Sequence, residues 1–347
     1  MAMNMKKSRV IYITAFVLIL CVIGFCTGVF VTLYHTRKSP CFTESVGLYI
    51  RPGTTPEQLC EMIPDSAVVR PRQLRNVLLK NLTASDMRPG YYVAEQGKPC
   101  IYVVRMLKNG WQTPVNLVLS GTMRLKGKIA KKISNQMMLD SASVYKALTD
   151  SAFLAGYGFT PQNVFSLIIP ATYQVYWTDS LKTIFGKFKA AYDAFWTAEN
   201  LRKAEAQGLT KEEVSILASI VKGESNYEPE YPAIAGVYLN RLHSGMKLQA
   251  DPTIAFCFDY SISRILFKHI EVDSPYNTYK YEGLPPGPIC VPDKPALNAV
   301  LNPDNHGYLY FCASPALDGT HKFARTLSEH NANAREFHRA LAASRTK

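Results

Sequence analysis

Apolar positions fall into one unbroken run near the N-terminus and, beyond it, into short segments that change repeatedly from strand-like to helix-like spacing. From Val10 to Tyr34 there is no Lys, Arg, Asp or Glu, and Val, Ile, Leu and Phe dominate. That length predicts a single transmembrane helix over 10–34. VGLYI (46–50) then reads as a strand, and RPGTTPEQLCEMI (51–63) as a turn and helix, with Thr55 and Gln58 spaced as a capping box. A helical stretch from Arg72 to Leu82, a short strand in MRPGYYVAEQG (87–97) and a helix ending at Gly110 follow. Trp111 to Leu119 reads as extended and Met123 to Met138 as helical. Further on come an extended run broken by Pro170 (167–180), an amphipathic stretch from Leu181 to Trp196, and a helix from Pro232 to Leu242. Two segments, 245–253 and 274–289, read as loops rich in Gly, Pro and Tyr.

These elements predict an α+β protein with a cytoplasmic N-terminus (1–9), the transmembrane helix, a small α/β module (45–115) and a larger mixed α+β domain (116–340). The sequence carries no repeat period. Lys6, Lys7 and Arg9 precede the apolar run while Arg37 and Lys38 follow it, so the positive-inside bias puts the N-terminus in the cytoplasm and the bulk of the chain outside. A cleaved signal peptide is the alternative. The run is long for one, and no A-x-A-like site closes it.

One polar residue stands out against the apolar pattern. Thr210 and Glu213 form a second capping-box signature, after which Leu217, Ile220 and Val221 mark an apolar stripe whose next position is Glu224. Burial penalises the charged form of a carboxyl, so a Glu on that stripe should have a raised pKa and hold a proton near neutrality, as a general acid must. The plain alternative is a Glu fraying into solvent at a helix end.

At 47% hydrophobic and 19% charged, the chain is neither disordered nor polytopic. Its net charge of +12 implies an acidic partner, anionic lipid or an acidic polymer, and without a base-stacking motif nucleic acid is not expected. Lys126, Lys128, Lys131 and Lys132 form the densest basic run, whose simplest reading is a solvated helix face. Beyond the apolar run lie Cys41, Cys60, Cys100, Cys257, Cys290 and Cys312, which allow fifteen full pairings. None is in C-x-x-C spacing, and His321, His330 and His338 lack the i, i+4 pairing of a helical metal site, so no metal is expected. Nothing local marks Cys290 with His306 as a nucleophile pair.

Five motifs in order carry a resemblance: PATYQVYW (170–177), LASIVKGES (217–225), AGVYLNRLHSGMKLQADPT (235–253), YNTYKYEGLPPGPI (276–289) and YLYFCASPALDGTHKFARTLSEHN (308–331). From Thr172 to Phe337 the chain resembles the endolytic murein transglycosylases (the MltG or YceG-like family). The resemblance implies a LysM-like module over 45–115, a YceG-like catalytic domain over 116–340, and a single N-terminal span. It puts the catalytic Glu on Glu224, with Asn240, Gln249, Asp251, Tyr276, Asn277, Thr278 and Tyr279 as candidate substrate-binding or supporting positions. At Lys222 and Ala171 the family often has acidic residues, which implies different groove electrostatics here.

The implied reaction needs one carboxyl. The C6 hydroxyl of a muramic acid attacks its own C1, and Glu224 serves first as acid to the leaving oxygen and then as base to that hydroxyl, with Asn277 or Gln249 orienting the N-acetyl group. No cofactor is needed. The implied partners are peptidoglycan glycan strands, the cytoplasmic membrane and peptidoglycan synthases. Two alternatives stand beside this reading: a peptidoglycan hydrolase with Asp251 as second carboxylate, and a non-catalytic wall-binding scaffold.

Overall fold

The computed structural model describes residues 2–345, with side chains from 11 to 344. The side chains of the expected cytoplasmic segment 1–9 lie outside that range. The chain forms two compact units, Met1–Val115 with Gln174–Thr178, and Asn116–Tyr173 with Asp179–Lys347.

The first unit begins with helix α1 (Ala2–Arg37), of which Ile11–Arg37 is long and apolar enough to cross a membrane. Its large side chains, Phe16, Phe25 and Phe30 among them, are exposed. The hydroxyls of Thr27 and Thr32 donate to Ile23 O and Gly28 O (2.8 Å each), so these polar groups are satisfied inside the helix, as a lipid environment requires. This helix is consistent with a single-pass anchor.

Strand β1 (Val46–Ile50), helices α2 (Pro56–Met62) and α3 (Pro71–Asn81), strand β2 (Gly90–Ala94) and helix α4 (Cys100–Asn109) follow. β1 and β2 pair antiparallel from Val46 opposite Ala94 to Ile50 opposite Gly90. Alternation sends Leu48, Ile50 and Tyr92 into a core with Leu59, Leu78 and Leu107. The Thr55 and Gln58 capping box forms, and Gly110 ends α4 in the left-handed region (φ 67°). Of the fifteen full pairings the sequence allows, none forms: a single disulfide joins Cys41 to Cys100, and the other described cysteines are free. Trp177 of the 174–178 segment meets the Tyr49 ring edge-on (5.0 Å) and lies under the Arg51 guanidinium (5.4 Å).

The second unit takes most of strand β3 (Val115–Leu119), which pairs with β4 (Ala171–Val175). Between them lie α5 (Lys126–Ser134), α6 (Ser141–Ala147), α7 (Ser151–Ala155) and α8 (Val164–Leu167). The extended run expected from 167 therefore starts only at Ala171, after a helical turn. Next come α9 (Leu181–Phe195), α10 (Ala198–Ala206), α11 (Lys211–Glu224), α12 (Tyr231–His243), α13 (Asp251–Cys257), α14 (Phe267–Ile270) and α15 (Lys294–Leu301). A hairpin of β5 (Tyr310–Ala313) and β6 (His321–Ala324) and the long α16 (Leu327–Arg345) complete the unit.

α11 is the centre of this unit, packed by α8, α10, α12, α13 and α15. Its N-terminus carries the expected capping box, with Glu213 N donating to Thr210 Oγ1 (3.2 Å) and Thr210 N to Glu213 Oε2 (2.8 Å). The apolar stripe expected there widens to the whole circumference: every residue from Val214 to Val221 is buried. Ala218 and Ser219 are small enough to admit neighbours on the remaining faces. Ser219 Oγ donates to Ile216 O (2.7 Å) and accepts from Ile289 N (3.0 Å), so its burial leaves no unmet polar group.

Candidate active site

Glu224 is the last residue of α11, where the central helix comes out of the core. The residue keeps partial access to solvent while its carboxyl is enclosed by protein. Burial pushes its pKa up to about 7; the nearby Asp251 charge pushes the same way, and the Tyr238 hydroxyl and Arg241 oppose them. A carboxylate at a helix C-terminus also faces the negative end of the helix dipole.

α12 supplies the groups that hold this carboxyl. Its inward row includes Tyr238, whose buried hydroxyl donates a short hydrogen bond to Glu224 Oε1. Burial, with the Glu224 charge added, holds that hydroxyl's pKa well above 10, so Tyr238 stays a donor. Nearly one turn on, Arg241 donates from Nε to Leu309 O (2.6 Å) and from Nη1 to Leu248 O (2.7 Å), and its guanidinium lies over the Tyr310 ring (5.2 Å). Arg241 thus ties the loop before α13 and the start of β5 to α12.

The opposite wall is α13 with the 274–289 loop. Asp251 was expected in a loop; it is the first residue of α13, where Pro252 at the second helical position lacks an N–H that would have had no helical acceptor. Asp251 is exposed, and its Oδ1 accepts from the Tyr279 hydroxyl (2.6 Å). Gly223 lets the two walls approach: a Cβ there would come within 2.6 Å of Pro252 Cβ.

Two concavities of about 380 and 700 Å³ meet at Glu224, sharing it with Ala313 and His321. The first holds Tyr238, Arg241, Gln249, Asp251 and Tyr279; the second holds Tyr227, Leu317 and Asp318. Glu224 therefore sits between two arms of one groove. His321 of β6 is fixed in the shared wall by Glu230, donating from its backbone N–H to Oε1 (2.9 Å) and from Nδ1 to Oε2 (2.8 Å).

Of the residues singled out in the sequence, Gln249, Asp251 and Tyr279 join Glu224 in the groove. Four others do not. Asn240 donates both amide hydrogens to His306 O and Tyr308 O (2.8 and 3.0 Å), anchoring the approach to β5. Asn277 is fully buried and donates to Ile270 O and Val272 O (2.8 Å each) while accepting from Tyr279 N and Lys280 N, so it has no donor for an N-acetyl group. Thr278 is buried against Ala250 N and Thr253 Oγ1 (2.9 Å each). Tyr276 packs at a tilt against Phe256 (4.6 Å) in a different cavity.

Lys222, expected to alter the groove, instead bonds Asp293 (2.8 Å) and the Tyr231 hydroxyl (3.0 Å) and does not line it. Cys290 and His306 make no nucleophile pair: burial pushes the thiol up to about 12 with Sγ on Ser219 O, and His306 is bound to Ala233 O. Tyr238 and His321 are among the groove residues that periodicity and spacing did not single out. Tyr238 falls on the helix's core-facing row and reads as packing. His321 reaches the site only through a hairpin with no local signature.

The pattern of the YceG-like family matches residues 48–336. The chain is 28% identical over 306 residues to the endolytic murein transglycosylase of Bacillus subtilis (strain 168), covering 83% of each. It is 24% identical over 318 residues to the protein of the same name in Streptococcus pneumoniae serotype 2 (strain D39 / NCTC 7466), covering 82% of this chain and 57% of that one. The 2.6 Å crystal structure of a yceG-like protein from Listeria monocytogenes is similar with a TM-score of 0.56 at 28% identity, over 83% of this chain and 98% of that one. With the family pattern running through most of both compact units, this chain belongs to the YceG-like family.

Proposed function

We propose that the chain is a membrane-anchored endolytic lytic transglycosylase of peptidoglycan. The observation that carries this reading is one enclosed carboxyl, Glu224, with its pKa raised to about 7 and a tyrosine hydroxyl upon it, between two arms of a groove. An endolytic enzyme needs room for sugars on both sides of the scissile bond, and an acid that returns as a base needs a pKa near the working pH. The relatives in B. subtilis and S. pneumoniae bear the corresponding name.

In this mechanism protonated Glu224 gives its proton to the glycosidic oxygen as the C1–O bond of N-acetylmuramic acid breaks. The resulting carboxylate takes the proton of the C6 hydroxyl as that oxygen bonds to C1. The products are a glycan ending in 1,6-anhydro-muramic acid and a new hydroxyl end, with no water consumed and Glu224 protonated again. Tyr238 holds the carboxyl in place and stabilises its charged form at mid-reaction. Gln249 replaces Asn277 as the donor available to the N-acetyl group.

α1 supports a single-pass cytoplasmic-membrane anchor, with the catalytic unit on the outer side and strands near the membrane as substrate. The Cys41–Cys100 bridge supports the same side, since disulfides persist in oxidising compartments. In this reading the 45–115 segment is the LysM-like module, and peptidoglycan synthases are the protein neighbours.

The test is mass spectrometry of muropeptides released by the detergent-solubilised full chain and by Glu224→Gln. Anhydro ends that fall by about 10² or more in the variant are expected. Reducing ends would favour hydrolysis with Asp251, which faces the same groove. Binding without cleavage would favour a scaffold.

A further inference from the structure

The basic run of α5 is solvated at Lys128 and Lys131, as expected, but it also borders a concavity. Lys126, Lys128 and Lys131, with Arg124 just before the helix, line a cavity of about 680 Å³ whose other walls include Phe256 and Tyr276. Only Lys132 turns away, donating to Ser120 O (2.8 Å). One carboxylate, Asp259, shares the cavity with the four cations. Among the described residues none of the four is in an ion pair. Lys126 is half-buried and donates to Pro161 O (2.5 Å), and burial pushes its pKa down. Four cations against one carboxylate around a single concavity give it a positive potential that attracts an anion.

The aromatic pair gives the other half of the chemistry. Phe256 and Tyr276 present two rings in contact, tilted at 46° with centroids 4.6 Å apart, to the same cavity, an aromatic surface suited to the apolar face of a sugar. Both elements that carry them also reach the Glu224 groove: α13 has Asp251 there and Phe256 here, and the 274–289 loop has Tyr279 there and Tyr276 here. Along α13 the two residues are separated by about 7.5 Å of helix rise and about 140° around the axis.

We infer that this cavity binds an anionic saccharide, the sugar face on Phe256 and Tyr276 and a carboxylate or phosphate among Arg124, Lys126, Lys128 and Lys131. For a glycan lying in the Glu224 groove, which rests on the function proposed above, the anion is a stem-peptide carboxylate or a terminal phosphate. The cavity then adds a charged subsite across α13 from Asp251.

Binding is measured on the full chain in detergent carrying Glu224→Gln, so that nothing is cleaved. The probes are glycan oligomers with stem peptides, the same oligomers stripped of stems, and stripped oligomers ending in a 1-phosphate. The stemmed or the phosphorylated probe should bind about tenfold tighter than the stripped one. That preference should vanish in Lys128→Glu/Lys131→Glu and fade at high salt. Both lysines are exposed, and Lys128→Gln/Lys131→Gln gives the same reading if charge reversal lowers the melting temperature. Equal binding of all three probes, or a preference that survives both variants, overturns the proposal. Absence of anhydro ends from the Glu224-containing chain would overturn the transglycosylase reading separately, leaving the binding preference as measured.

Discussion

Two walls of the groove offer the same pair of groups, a carboxylate and a tyrosine hydroxyl, in opposite settings. On one wall Glu224 ends a helix buried on all sides and meets Tyr238, itself buried. On the other, Asp251 begins a short helix in solvent and meets Tyr279. On the buried wall, enclosure raises the pKa of Glu224, and Asp251 on the exposed wall adds to that rise.

The comparison breaks most visibly at Glu224 itself. Because its folded pKa is raised to about 7 from an ordinary 4.5, the native chain keeps a proton that the unfolded chain has lost between those values, so stability falls as pH rises across that window. Glu224→Gln removes this loss. The variant should match the wild type near pH 4 and exceed it near pH 8 by on the order of 3 kcal/mol, read by denaturant titration at both pH values. A constant difference across pH would mean the carboxyl is not desolvated.

Gly223→Ala attacks the contact between the walls. The added Cβ would collide with Pro252, and overpacking of this kind costs about 1–3 kcal/mol. A melting temperature unchanged from wild type would show that α11 and α13 do not need this approach.

Tyr238→Phe keeps the ring and removes the hydroxyl. Activity should fall by about tenfold, the scale of one charge-assisted hydrogen bond. Wild-type rate should decline as pH rises past about 7, when Glu224 no longer holds its proton, and in the variant that decline should begin at higher pH because the lost donor favoured the charged form. A fall in rate with no movement of the pH profile would confine Tyr238 to packing.

Asp251→Asn tests the exposed wall and should do least. Removing its charge lowers the Glu224 pKa, so the decline should move to lower pH while the maximal rate stays within about threefold. A loss as large as that of Glu224→Gln would make Asp251 a chemical participant.

Much of this was legible in the sequence wherever the signal was local. The boxes at Thr55 and Thr210 and the stop at Gly110 depend on residues three or fewer apart, and each formed. Glu224 was conspicuous because a carboxyl interrupts an apolar period. The opposite wall was read less well. Asn277 looked like a groove donor, yet its amide closes its own loop, because a polar side chain in a turn can satisfy backbone groups as readily as a ligand. Tyr238 and His321 depended on tertiary meetings 14 and 91 residues apart, with Glu224 and Glu230, which no local period encodes.

The Cys41–Cys100 bridge also has a mechanical meaning. It closes a loop spanning 59 positions that contains β1, α2, α3 and β2, and it begins just after α1. Tension between α1 and the chain beyond Cys100 has a covalent shortcut through the two sulfurs and need not run through that hairpin and its helices. If α1 is held in a membrane, as proposed, a chain pulled by its own substrate carries the load on α4, while the β1–β2 ladder stays slack and folded. Reduction of the bridge would put the ladder in series with the pull, and single-molecule stretching would register the extra length as a new extension step.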